Sequence, residues 1–212
     1  MTSRRFQPWE GGEGLSLDVF VRAQVALGRA GLARGRAEEA RRHFQAALTP
    51  PENLGEARHP LANPGDVYYW LGCACAAAND PAAAREAWEV AGEMKGDFQE
   101  KHVISYSEKT YYAALAGMKL GRRRQAKALL RTLLAHARRL PREPAKIDYF
   151  ATSLPTMILF DDDLQARRVT TARFLEALAL QGLGRTAEAR RLFRGVLRRD
   201  PSHPGAAAMM AG

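Results

Sequence analysis

Apolar and small residues recur along this chain at steps of three and four, the period that lines one face of an α-helix. Four segments share one layout: a helical stretch, a Gly or Asn, then a second helical stretch with Ala five positions later. In the first, Leu27, Gly28 and Gly31 precede Gly35, and Ala40, Phe44 and Ala47 follow it before Pro50 and Pro51. In the second, Tyr68, Leu71, Gly72 and Cys75 precede Asn79, and Ala84, Trp88 and Ala91 follow. In the third, Ala114 and Gly117 precede Gly121, and Ala126, Leu130 and Leu133 follow. In the fourth, Ala177 and Leu180 precede Gly184, and Ala189, Phe193 and Val196 follow before Pro201. The pattern predicts helices over 17–33, 36–48, 65–78, 81–94, 106–120, 122–140, 163–182 and 186–199, with a short one near 203–210. No segment shows the sustained alternation of a strand.

The layout has a direct physical meaning. Gly or Asn takes the left-handed conformation that ends the first helix of a pair. Small residues on the apolar face let the two helices approach closely. One hairpin cannot bury its apolar face alone, so neighbours must stack on it. The expected fold is therefore all-α: a superhelical array of antiparallel helix pairs, one domain over 1–212, with units at about 17–48, 65–94, 106–140 and 163–199. The turns are 44, 42 and 63 residues apart, whereas a bare two-helix repeat needs about 34. Long connections must hold the excess. The first, "PPENLGEARHPLANPGD", reads as a loop; the second, "GEMKGDFQEKHVISYSEK", as a loop with a short helical turn. The third, "LPREPAKIDYFATSLPTMILFDDDLQ", is apolar and aromatic at its centre, so short helices are expected over about 142–162, broken at Pro155.

The turn followed by Ala, a bulky residue and then Pro resembles the tetratricopeptide repeat. The fourth unit, with Leu183-Gly184, Ala189, Phe193 and Pro201, carries the likeness best. The segments "PWEGGEG", "ENLGE", "YYWLG", "GDFQ", "SEKTYY" and "DYFATSLP" also resemble the C-terminal half of a large bacterial family known as a domain of unknown function. Its long members look like a β-sandwich similar to galactose mutarotase, followed by such repeats. This sequence contains no such sandwich, so sugar chemistry is not carried over. What the resemblance implies is a protein partner of that β-sandwich type.

Charge and chemistry narrow the reading further. Lys+Arg outnumber Asp+Glu by 32 to 23, a net charge of +9. The arginine runs "GRRRQAK", "ARRL", "ARRV" and "ARRLFRGVLRR" lie mostly in helical patterns, so solvated helix faces are the plainer reading and nucleic acid the weaker one. No apolar run approaches the roughly eighteen residues of a membrane span, and the N-terminus lacks an apolar signal core. Cys73 and Cys75, two apart on a helix, point to different faces and read as small buried residues in a reducing, cytoplasmic setting. The five histidines lack zinc spacing, and Asp161 to Asp163 read as a helix cap. No phosphate loop, nucleophile elbow or dinucleotide fingerprint appears. Neither cofactor nor metal is expected, and no catalysis.

Candidate partner-binding residues fall in three places. Trp9, Glu10 and Glu13 sit in the N-terminal "WEGGEG"; Glu52, Asn53 and Glu56 sit in the first long loop and are expected to join them as an acidic rim. Tyr68, Tyr111, Tyr112, Tyr149 and Phe150 are expected either to line a curved groove or to fill the core. The function expected is a non-enzymatic scaffold for a protein partner. The alternatives are an accessory role in carbohydrate processing and nucleic-acid binding through the arginine faces. Self-association is a further expectation, because terminal repeats with exposed apolar faces pair.

Overall fold

The computed structural model describes residues 14–55, 58–94, 96–99, 102–145 and 163–211. Their nine α-helices are α1 (Leu15–Ala33), α2 (Ala37–Leu48), α3 (Gly65–Ala77), α4 (Pro81–Glu93), α5 (Glu108–Lys119), α6 (Arg123–Arg139), α7 (Leu164–Gly182), α8 (Thr186–Arg199) and α9 (Pro204–Met210). Every boundary lies within two residues of its sequence expectation. Short 3-10 turns occupy Glu52–Leu54 and Leu140–Arg142. The chain divides into two compact units, Met1–Ala126 and Lys127–Gly212.

All four pairs turn by the same hydrogen bonds. Gly35, Asn79, Gly121 and Gly184 have φ of 72°, 61°, 78° and 84°. The next residue's N–H reaches back five positions: Arg36 to Gly31 O at 2.9 Å, Asp80 to Cys75 O at 2.9 Å, Arg122 to Gly117 O at 2.8 Å and Arg185 to Leu180 O at 2.9 Å. This bond, with a second from the left-handed residue itself, satisfies carbonyls that the helix end leaves open. Asn79 does the work of glycine because its short polar side chain tolerates the left-handed region.

The small residues set the approach within each pair. A Cβ on Gly28 would stand 2.6 Å from the Phe44 ring, and one on Gly72 would stand 2.5 Å from the Trp88 ring. Gly117 differs, since a Cβ there would meet the Ala126 methyl at an ordinary 3.5 Å. In the first unit α1 packs on α2 and α3 on α4, while α2 packs on α3 and α4 on α5. Chain neighbours therefore stack, as the repeat pattern requires. Ala40, Phe44, Ala47, Val67 and Ala74 form the core between the first two pairs; Tyr69, Ala91 and Ala116 form the next. Trp70 packs against both clusters. In the second unit α7 packs on α8 and α8 on α9.

The second connection departs from expectation. Instead of a helical turn it forms a two-stranded antiparallel hairpin, β1 (Asp97–Gln99) with β2 (His102–Ile104), pairing Asp97 with Ile104 and Gln99 with His102. Three-residue strands are too short for period-two alternation to show in a sequence. Tertiary bonds fix them instead. Asn63 in the first connection donates its N–H to Asp97 Oδ1 at 3.1 Å and its Nδ2 to Gly96 O at 2.6 Å. Beyond the hairpin, Ser107 caps α5 in a reciprocal box with Thr110, which is why that helix opens at Glu108 rather than 106. The short helices expected over 142–162 fall, from residue 146 to 162, outside the described residues.

Candidate functional site

In the first unit the first helices of three successive pairs, α1, α3 and α5, run side by side, α3 touching both others. Asp66 and Trp70 are one turn apart on α3, so they share a face. Lys109 and Tyr112 are spaced likewise on α5. These residues, with Arg29 of α1, make one half-buried cluster of rings and charges.

Lys109 Nζ lies 2.9 Å from Asp66 Oδ2 and 3.4 Å from Glu108 Oε1. The Lys109 and Asp66 side chains are each only 17% exposed. Burial by itself lowers the pKa of the amine. The carboxylates of Asp66 and Glu108 override it and hold Lys109 above its ordinary value. Lys109 is thus a fixed cation. On the opposite flank the Arg29 guanidinium stands 4.9 Å from the Trp70 ring centroid, within cation–π range. Between them Trp70 and Tyr112 are 6.5 Å apart, Tyr69 and Trp70 5.2 Å, and Tyr111 and Tyr112 5.2 Å. Burial pushes the Tyr111 phenol up to about 12 and raises Tyr69 and Tyr112 as well, so all three stay neutral at physiological pH. Arg58, from the first connection, donates to Ala47 O at 2.6 Å. Burial lowers its pKa, against the pull of Asp66 and Tyr68.

Two polar atoms in this cluster are buried without a hydrogen-bond partner among the described residues: Asp66 Oδ1, an acceptor, and Trp70 Nε1, a donor. The cluster offers fixed charge of both signs and aromatic surface. It does not offer a ready nucleophile, since burial raises the pKa of both the Cys73 and Cys75 thiols. Among the described residues no group of three or more His, Cys, Asp or Glu converges on a metal position. None of their helices is long and apolar enough to cross a membrane.

Of the residues singled out from the sequence, Tyr68, Tyr111 and Tyr112 fall in this region. Tyr68 and Tyr112 are half-buried, whereas Tyr111 is 6% exposed and lies inside the packing. Glu52 is exposed at the start of its 3-10 turn, and Asn53 beside it is half-buried. Trp9, Glu10, Glu13, Glu56, Tyr149 and Phe150 lie outside the described residues. The sequence reading missed Arg29, Asp66, Trp70 and Lys109. One signal was available: Asp66 and Lys109 are each the second residue of a first helix, one position out of register when counted from the turns at Asn79 and Gly121. Stacking brings such positions together, and these two carry opposite charge.

Comparison with known families agrees with this geometry. One model described as a tetratricopeptide repeat matches residues 17–54 and 174–211, and a second with the same description matches 66–89. The matches cover α1–α2, most of α3–α4, and the end of α7 with α8 and α9. No solved structure matches the chain.

Proposed function

We propose that this chain, a tetratricopeptide-repeat protein, is a non-catalytic scaffold that holds a protein partner on the face made by α1, α3 and α5. The observation that carries this reading is the Arg29–Trp70–Tyr112 cluster beside the Lys109–Asp66 pair. Aromatic rings and arginine supply most binding energy at protein interfaces. The salt bridge fixes both its charges, so a partner segment meets an ordered surface and less side-chain freedom is lost on binding.

The partner to try first is a β-sandwich chain of the type that precedes such repeats in the family resembled by "WEGGEG" and "DYFATSLP". An accessory role in carbohydrate processing follows if that chain is the one bound. The test is co-purification of tagged full chain with such a β-sandwich protein, compared with R29A and Y112A variants whose folding is checked by circular dichroism. A stable complex weakened at least tenfold by R29A supports the reading. Equal binding by folded variants, or none by the parent chain, overturns it.

A further inference from the structure

The net charge of the chain is unevenly divided. Residues 1–126 hold seventeen Lys+Arg against fifteen Asp+Glu, and residues 127–212 hold fifteen against eight. The second unit therefore carries most of the excess, and α8 presents its densest part. From Arg190 to Arg199 every exposed residue is an arginine: Arg190, Arg191, Arg194, Arg198 and Arg199. Among the described residues no carboxylate reaches ion-pair distance of any of the five, although Glu188 feels the charge of Arg191. Glu188, the exposed acid of α8, is held by Arg185 through two 2.6 Å hydrogen bonds.

A merely solvated helix face usually mixes its signs, because like charges four apart destabilise a helix. The pairs Arg190/Arg194 and Arg194/Arg198 are such like-charge neighbours, about 6 Å apart along the axis. Mixed pairs do occur in the first unit, where Arg85 pairs with Glu89 and Arg36 with Glu39; α6 shares with α8 a basic surface, having no carboxylate of its own. We infer that the α8 face docks the phosphate backbone of a nucleic acid, without reading bases. Guanidinium forks match phosphate oxygens. Exposed rings and aliphatic side chains, the usual anchors of a protein interface, are absent from this stretch. A lipid surface is disfavoured because the apolar side of α8 is already spent inside the fold, where Ala189, Phe193 and Val196 are at most 1% exposed. This surface lies on a second helix of its pair, in the second unit, shares no residue with the α1, α3, α5 face, and does not depend on the scaffold reading.

The test is fluorescence anisotropy of labelled 24-base-pair DNA and RNA duplexes of mixed sequence with full chain, from 50 to 200 mM NaCl. Five phosphate contacts give a slope of log affinity on log salt near about −4.5, roughly a 500-fold loss across that range. Replacing Arg190, Arg194 and Arg198 by Gln should bring the loss down to about 12-fold. A control that removes the same charge from the first unit, Arg34, Arg42 and Arg85 to Gln, should keep the parent slope. Should the α8 triple fail to fold, R194Q alone should lower the slope by about 0.9. A preference for DNA over RNA, or the reverse, names the source of the phosphate. Absence of duplex binding at 50 mM salt overturns the proposal. So do equal effects of the two triples, or binding to polyglutamate or phosphatidylserine vesicles in place of either duplex.

Discussion

Helices α1 and α7 are each 19 residues long, and each opens a pair matched by the same repeat model. Their surroundings differ sharply. Along α7, Ala172, Phe174, Leu175 and the unbroken run Ala177 to Leu180 are buried. Along α1 only Gly28 and Gly31 are buried, while Leu15, Val19 and Leu27 are each more than half exposed. Four consecutive buried positions mean that α7 is enclosed on all sides at that level, which no single partner helix achieves. The lesson is that the repeat pattern specifies the seam within a pair. How much of the first helix is covered depends on what else packs there.

The sharpest way to break this comparison is truncation. L178A in α7, where the side chain is 1% exposed, should cost about 2–5 kcal/mol in urea unfolding. L27A in α1, where it is 51% exposed, should stay within about 0.5 kcal/mol. Similar losses at both positions would mean that α1 is covered in solution. The glycine seams come next. G72A drives a methyl into the Trp88 ring and should cost about 1–3 kcal/mol. G117A has room for its methyl and should be neutral or raise stability by about 0.4–1 kcal/mol. Thermal melts of the two variants, moving in opposite directions, would confirm that close approach is demanded at one pair and merely tolerated at another.

A subtler contrast lies in alkaline pH. Lys109, Tyr69, Tyr111 and Tyr112 all have folded pKa values above their ordinary ones. Above about pH 10 the unfolded chain releases protons that the folded chain keeps, so stability falls as pH rises. The first unit should lose stability between about pH 10 and 12, with phenolate absorbance near 295 nm appearing together with loss of helix. In the second unit the only tyrosine is Tyr149, so its helices should respond less. Early phenolate absorbance that Tyr→Phe difference spectra assign to Tyr69, Tyr111 or Tyr112, while helix is retained, would show that these three are not enclosed as described. The smallest effect is expected at V19S, an exposed change on α1 that should shift stability by no more than about 0.5 kcal/mol.

The reach of the sequence can be traced residue by residue. Gly35, Asn79, Gly121 and Gly184 were legible as turns because a left-handed residue after a periodic run is a local signal. Ser107 was not recognised as a cap, and α5 was placed two residues early. The hairpin at Asp97–Ile104 was invisible because Asn63, more than thirty positions away, holds it. In the candidate site the tyrosines were noticed by residue type, but the Asp66–Lys109 pair was not, since it needs the stacking register of two repeats.

By itself, then, the sequence determined where helices begin, end and reverse, because periodicity, capping and left-handed turns depend on residues a few positions apart. Only the tertiary structure decided that Tyr111 is enclosed while Tyr112 shares a face with Trp70 and Arg29, and that α7 buries four consecutive positions where α1 leaves Leu15, Val19 and Leu27 exposed. Burial depends on neighbours supplied by distant parts of the chain, and no local pattern encodes which of them arrive.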